Sequence, residues 1–443
     1  MKAISQVLPG RIRSVRPIFV LLLAALLVPS TFAQSVTGQL SGTVTDQGGA
    51  VIAGTQVQLT NDLTKQAREF TSEQNGSFIF TGLVPGAYSL RIAQPGFKAF
   101  EERSINVSSQ EKVDLHSLRL QVGDVNTAIE VKAESVHVQT DSSDRALGVN
   151  LIQLADTPVR GRDFLASIKA LPGVQDIGNH DQRGWGQAMP QINGGQMGQT
   201  LLSLDGIASQ DSGNLNPGYV APSVDAIGEV KLVVSNYTPE YAGRTGGQML
   251  VSIKNGTNEF HGTGYYYWRH EMFNANEWFN NAQKITKPRY RYKNPGGTFG
   301  GPLIIPGTNF NKDRTKLFFF FSLDSIRSNA VATNRYTMPT ALERQGDFSQ
   351  TVTSAGALVP VLDPTTGAAY AGNKIPSSRI SPAGAAFMNL FPLPDARGYG
   401  IDPSGTRQFN SIFNLQQLKP NDDKILRVDY NVGKNTSAYV RLM

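Results

Sequence analysis

The chain has 443 residues, a formal charge of +6, 44 glycines, 24 prolines, 22 phenylalanines and no cysteine. That length exceeds one ordinary domain, the composition favours many short strands over long helices, and the missing cysteines exclude disulfide scaffolds, thiolate zinc sites and cysteine nucleophiles. Lys2, Arg11, Arg13 and Arg16 sit in a first 33 residues without acidic groups, so only +2 remains elsewhere, too little for a field that draws nucleic acid.

Lys2 to Arg16 is a basic leader, Ile18 to Val28 an apolar run, and Pro29 to Ala33 a small-residue cleavage site. This pattern predicts a signal peptide over residues 1–33. Read instead as an anchor, the run is shorter than the ~20 residues that span a bilayer. No later apolar run reaches that length, so a mature chain resident in a membrane must cross it as a barrel.

Strand patterns follow at Gln39 to Thr45 and Thr55 to Thr60. Asn75-Gly76 predicts a tight hairpin with a pair of positive φ angles, Phe78 and Phe80 share a face, and Pro85-Gly86 turns the chain into an alternating Tyr88, Leu90 and Ile92. The run Gly76-Ser77-Phe78 through Pro85-Gly86-Ala87-Tyr88-Ser89-Leu90, then Gly96-Phe97, resembles the carboxypeptidase regulatory-like domain. That resemblance implies a small Ig- or transthyretin-like β-sandwich over 34–120; in metallocarboxypeptidases it is the accessory domain and not the zinc site.

Residues 121–145 read as a linker. Within it Thr127, Ala128, Ile129, Glu130 and Val131 alternate and resemble the TonB box of TonB-dependent outer-membrane receptors, an extended segment that pairs with the edge of an energising partner. The same residues also suit an ordinary last strand of the sandwich. Asn150 to Val174 predicts two short helices parted near Pro158, with Asp163 as a cap. A glycine-rich loop region over Gln182 to Gln199 and a strand and turn through Leu204-Asp205-Gly206-Ile207 come next.

Two strand patterns, Glu229 to Val234 and Gln248 to Lys254, flank a region marked by Pro239, Gly243, Gly246 and Gly247. Ile227-Gly228-Glu229-Val230 and Tyr241-Ala242-Gly243 through Gly256 resemble the end of a TonB-dependent receptor plug, with an alanine inserted in the usual Tyr-Gly pair. The resemblance implies a plug over 146–256 and makes Tyr241, Gly243, Gly246 and Gly247 its junction with the barrel.

Past Asn258 the pattern becomes that of membrane strands: Phe260 to Arg269, Phe299 to Ile305, Lys316 to Ile326, and a hairpin over Lys424 to Leu442 with Arg427, Asp429 and Arg441 facing the interior. The basic and aromatic run Lys287 to Lys293 is read as a loop or lipopolysaccharide-facing rim, and Ser328 to Pro420 as extracellular loop. A plugged barrel of about 22 strands needs on the order of 200 residues in strands alone, so 257–443 is expected to be part of a longer receptor.

His116, His137, His180, His261 and His270 show no ligand spacing, no nucleophile elbow is present, and Asp205 and Asp225 read as turn and cap residues. The fold class expected is mostly β: a sandwich, an α+β plug and the first strands of an incomplete barrel. The resemblance, to the Oar-like group and strongest at residues 38–97 and 223–262, implies a receptor importing an unknown substrate. Its partners would be the TonB-ExbB-ExbD complex and outer-membrane lipid, with no nucleic acid, no cofactor and no catalytic or metal site. An adhesion or surface-organisation protein on the same folds is the alternative.

Overall fold

The computed structural model describes residues 37–123, 128–132, 144–149, 160–175, 189–196, 198–213, 215–216, 218, 220–237, 244–282, 284–395, 400–401, 407–434 and 436–443. The signal-peptide expectation, and Thr127, Tyr241 and Gly243, lie outside them. Two compact units result, one of residues 1–263, 298–322 and 423–443, the other of 264–297 and 323–422.

The first unit opens with β1 (Gly38–Thr45), β2 (Gln56–Asn61), β3 (Ala67–Thr71), β4 (Ser77–Leu83), β5 (Gly86–Ala93), β6 (Ala99–Val107), β7 (Lys112–Arg119) and β8 (Ala128–Lys132). They form two sheets, ordered β4-β1-β7 and β3-β2-β5-β6-β8. Alternation buries Leu40, Val57, Leu59, Phe78, Phe80, Leu90 and Ile92 between the sheets, where Phe78 and Phe80 meet edge-on at 6.1 Å. β6 and β7 escape a simple alternating pattern because Ser104 and His116 adopt φ of 62° and 55° beside register shifts. A bulge of that kind moves every later side chain to the other face.

The Asn75-Gly76 expectation needs correction. β3 and β4 lie in opposite sheets, and only Gly76 of the pair has a positive φ, 73°. The turn carries the chain between sheets, with the Asn75 carboxamide accepting the Ser77 N–H at 3.0 Å in place of a second left-handed residue.

The plug region contributes β9 (Arg145–Val149), β10 (Val174–Gln175), β11 (Gln191–Ile192), β12 (Leu201–Leu204), β13 (Ile207–Ala208), β14 (Ile227–Ser235) and β15 (Gln248–Ile253). Five of them form the sheet β13-β12-β15-β14-β9, with β12 and β15 parallel. Every residue of β15 is buried, as a central strand covered on both faces requires. One short helix, Phe164–Ser167, continues as a 3-10 turn over Ile168–Ala170, and the Asp163 carboxylate caps it by accepting the Leu165 N–H at 3.2 Å. Residues 150–159, where the first of the two expected helices falls, are outside the described set.

The remaining strands are β16 (His261–His270), β17 (Tyr290–Pro302), β18 (Leu317–Tyr336), the short β19 (Gly400–Ile401) and β20 (Arg407–Phe409), then β21 (Ser411–Asn431) and β22 (Ser437–Leu442). The wall sheet runs β16-β17-β18-β21-β22. Tyr266, Trp268, Phe299, Phe321, Leu323, Leu426 and Tyr430 are exposed while Ser322, Asp324 and Arg427 are buried, the apolar-out alternation of a lipid-facing wall. Tyr290 to Lys293 open β17 and are not loop. β18 and β21, 20 and 21 residues long, run deep into the segment expected as loop. Their tips are rich in Asn, Thr, Gln and Ser, residues that continue a ladder without an apolar face.

Within the second unit, Asn373 ties together residues 348–361: its amide donates to Phe348 O at 2.7 Å and Val359 O at 2.8 Å while its Oδ1 accepts the Val361 N–H at 2.7 Å. A Thr340/Glu343 capping box starts the turn of helix Ala341–Arg344.

Replacing Phe78, 2 % exposed, with alanine is expected to destabilise the sandwich by about 3–5 kcal/mol in urea unfolding. Burial pushes the Tyr88 phenol up to about 12, from an ordinary value near 10. The folded state holds that proton more tightly than the unfolded chain does. Its contribution is therefore complete below about pH 10 and lost as pH rises through about 12. Tyr88→Phe is expected to flatten the fall of stability in that window; an unchanged alkaline profile would refute the assignment.

Candidate functional site

The hairpin joining β12 to β13 turns on Asp205 and Gly206, with φ of 44° and 84°. Two successive positive φ values match the twist of a two-residue hairpin, and a short polar side chain such as aspartate tolerates the first place. The turn aims the Asp205 carboxylate at the wall. Its Oδ1 accepts the Ile253 N–H at 2.8 Å, and its Oδ2 pairs with Arg441 Nη1 and lies 3.5 Å from Arg427 Nη1. Arg427 and Arg441 are direct register partners on β21 and β22. Arg427 is held further by Asp429 at 2.8 Å and by the Tyr439 ring, 4.6 Å from its guanidinium.

Beside this ion cluster Ala226 and Ile253 of the plug pack on Phe320 and Ile425 of the wall. The expected polar interior therefore fails at Phe318 and Phe320, which are buried. Both lie on the same face of β18 as the buried Ser322 and Asp324, and an apolar plug surface covers that face here in place of water.

Gly246 and Gly247 occupy the turn between β14 and β15, ahead of the last plug strand and not after it. Gly246 N–H donates to Gln199 O at 3.1 Å, and at Gly247, with φ of 79°, a Cβ would stand 2.8 Å from Val233 O. The covalent passage from plug to wall is residues 254–260. There Gly256 lies so close to β18 that a Cβ would stand 2.7 Å from the Phe319 nitrogen.

The sandwich reaches the same elements. Ser109, on the turn after β6, donates from N and Oγ to Glu229 Oε2 at 3.0 and 2.9 Å and meets Ser252 Oγ at 2.7 Å. Lys231 Nζ donates to Ser109 O at 2.7 Å, and burial lowers the Lys231 pKa against the opposing pull of Glu111, Glu229 and Asp144. A cavity of about 1550 Å³ opens where these parts meet, lined by Arg68, Tyr88, Asp205, Glu229, Arg427 and Lys434 among others.

Ala128, Ile129, Glu130 and Val131 form β8, an edge strand parallel to β6 with Ala99 opposite Ala128 and Glu102 opposite Val131. The sandwich sheet thus takes a strand from the stretch read as linker. Asp225 pairs with Arg162 at 2.7 Å. Among the described residues no three His, Asp or Glu side chains gather as metal ligands.

Asp205→Ala leaves the buried Arg441 guanidinium without its carboxylate and Arg427 with Asp429 alone, at an expected cost of about 3–5 kcal/mol to the hold between plug and wall. Hydrogen exchange on the full-length protein is expected to show faster exchange of the Ile253 amide. Asp205→Ala combined with Arg441→Ala is expected to cost less than the two singles summed. An equally protected Ile253 amide would contradict the anchor.

Comparison with known proteins finds a carboxypeptidase regulatory-like domain at residues 39–121 and an outer membrane beta barrel domain at residues 252–443. The TonB-dependent transporter Oar of Myxococcus xanthus is 25 % identical over 329 residues, which are 70 % of this chain and 28 % of Oar. The chain thus spans less than a third of that relative's length. Among solved structures, the ferric enterobactin receptor of Pseudomonas aeruginosa is similar over 68 % of this chain and 33 % of its own, with 12 % identity and a TM-score of 0.35. The outer membrane transporter YddB of Escherichia coli is similar over 65 % and 31 %, with 11 % identity and a TM-score of 0.36. By its outer membrane beta barrel domain and its similarity to Oar, the chain is a Gram-negative outer-membrane protein, and it carries a carboxypeptidase regulatory-like domain ahead of the barrel strands.

Proposed function

We propose that the chain takes part in energised import: substrate binds on the outer side, residues 127–131 engage TonB of the TonB-ExbB-ExbD complex, and the pull rearranges the plug. It acts as a transporter and not as an enzyme. The observation that carries this reading is the position of β9, which among the described residues is an edge strand of the plug sheet and the next strand after β8 along the chain. A pull on 127–131 strains the β8–β6 ladder first, and β9 is the first plug strand that it reaches along the chain. An edge strand leaves by breaking one ladder, that with β14, while β12, β15 and β14 keep theirs.

The wall resists the same load for a reason of chemistry. Inside a bilayer an opened strand exposes N–H and C=O groups that no water satisfies, so separating wall strands costs far more than releasing β9. β8 suits the other end of the process because an edge strand offers a partner one row of unpaired backbone groups. Main-chain pairing of that kind is tolerant of side-chain identity, in keeping with the mixed composition of Thr127 to Val131.

Ile129→Pro with Val131→Pro removes two backbone donors from β8 and bars a further strand from pairing there. In cells bearing the full-length protein, crosslinking of a photoreactive group at position 130 to TonB is expected to disappear while outer-membrane insertion persists. Undiminished crosslinking would sink the assignment of residues 127–131.

A further inference from the structure

We propose that the sandwich is a latch on the plug: the turn Ser108 to Glu111 holds β14 and β15 in place and has to disengage before the plug sheet rearranges. When the latch releases rests on the import reading above; that it holds does not.

Ser109 is 0 % exposed, although it sits at the tip of a turn, where serine is ordinarily solvated. The turn itself is rigid, because the Glu111 carboxylate accepts the Ser108 N–H at 2.8 Å and the Glu111 N–H donates to Ser108 O at 3.1 Å. All three polar groups of Ser109 are spent on the plug. Its N–H and hydroxyl reach Glu229 on β14, its hydroxyl meets Ser252 on β15, and its carbonyl accepts from Lys231 on β14. Burying the Lys231 side chain and half-burying that of Glu229 at this contact is tolerable only while those bonds are made. Hydrogen bonds weaken steeply with distance and angle, so such a contact is either engaged or broken, whereas an apolar interface slides.

A second grip makes the contact a latch and not a mere resting place. Glu69 on β3 pairs with Lys434 at 2.9 Å, and Leu63 O accepts the Asn258 N–H at 3.1 Å. Lys434 lies in the turn between β21 and β22, and Asn258 in the passage from plug to wall. The sandwich therefore bridges the plug sheet and the foot of the wall by a route independent of Asp205. β6, which leads directly into the Ser109 turn, is also the ladder partner of β8. Load applied at residues 128–132 reaches the latch through that ladder.

These 443 residues hold no cysteine, and any cysteine elsewhere in the full-length protein is replaced with serine before the test. Ser109→Cys with Ser252→Cys replaces two oxygens 2.7 Å apart with thiols that close under oxidation and reopen under dithiothreitol. In the full-length protein in lipid nanodiscs, Ser109→Ala with Lys231→Met is expected to raise hydrogen exchange of the β14 and β15 amides at least tenfold. The oxidised cysteine pair is expected to slow the same amides relative to its own reduced form, a comparison within one polypeptide that stands even if the first variant folds poorly. Exchange that is the same in the oxidised and reduced forms would overturn the latch. In cells, the disulfide yield of the pair is expected to fall when TonB is energised and to recover with a protonophore. A yield indifferent to energisation, alongside altered exchange, would overturn release by TonB and leave the hold standing.

Discussion

A single carboxylate fixes the relation of the plug to the wall. Asp205 is buried, carries its charge into a site with two arginines, and also receives the Ile253 amide. A buried carboxylate is costly unless paired, and Asp429 serves Arg427 but leaves Arg441 to Asp205, so each side of the interface gains from the other's presence. The apolar contact of Ala226, Ile253, Phe320 and Ile425 beside it excludes water and strengthens the ion cluster. The position of β15, and through it of the whole plug sheet, follows from that arrangement.

The molecule concentrates its weak points elsewhere. Among the described residues β8 and β9 are both edge strands, each paired with one neighbour, β6 and β14 respectively. The central strands β14 and β15 are held by ladder neighbours on both edges, by the Asp205 anchor on one side and by Ser109 on the other. A force entering near residue 128 thus meets an ordered series of resistances: a sandwich ladder, a polar latch, a plug edge, and only then the buried ion cluster. Such grading lets a small plug yield while the wall stays closed.

Much of this was legible from residue order. The glycine, proline and aromatic sequence of 76–90 marks a sandwich because each residue type answers a local demand of backbone or core. The hairpin over 424–442 was visible from strict alternation, and Asp163 as a cap from its place before an apolar turn. What escaped had a common cause, namely dependence on a partner distant in sequence. Asp205 is recognisable as a turn residue, but nothing near it announces Arg441, 236 positions away. Ser109 resembles any serine in a polar turn until Glu229 and Ser252 are brought to it. Phe318 and Phe320 break the polar-interior pattern only because a plug surface meets them, and β6 and β7 hid behind bulges at Ser104 and His116. The run Tyr290 to Lys293 appeared loop-like because its charges suggested solvent, while the ladder with its neighbours makes it strand.

Import as proposed requires the pull from TonB to loosen the plug's contact with the wall. Ala226, 0 % exposed against Phe320 and Ile425, reports on that event directly. Ala226→Cys in the full-length protein, treated in cells with a membrane-impermeant maleimide able to enter the periplasm, is predicted to label faster when TonB is present and energised than with a protonophore or without TonB. Equal labelling in all three conditions would contradict the account.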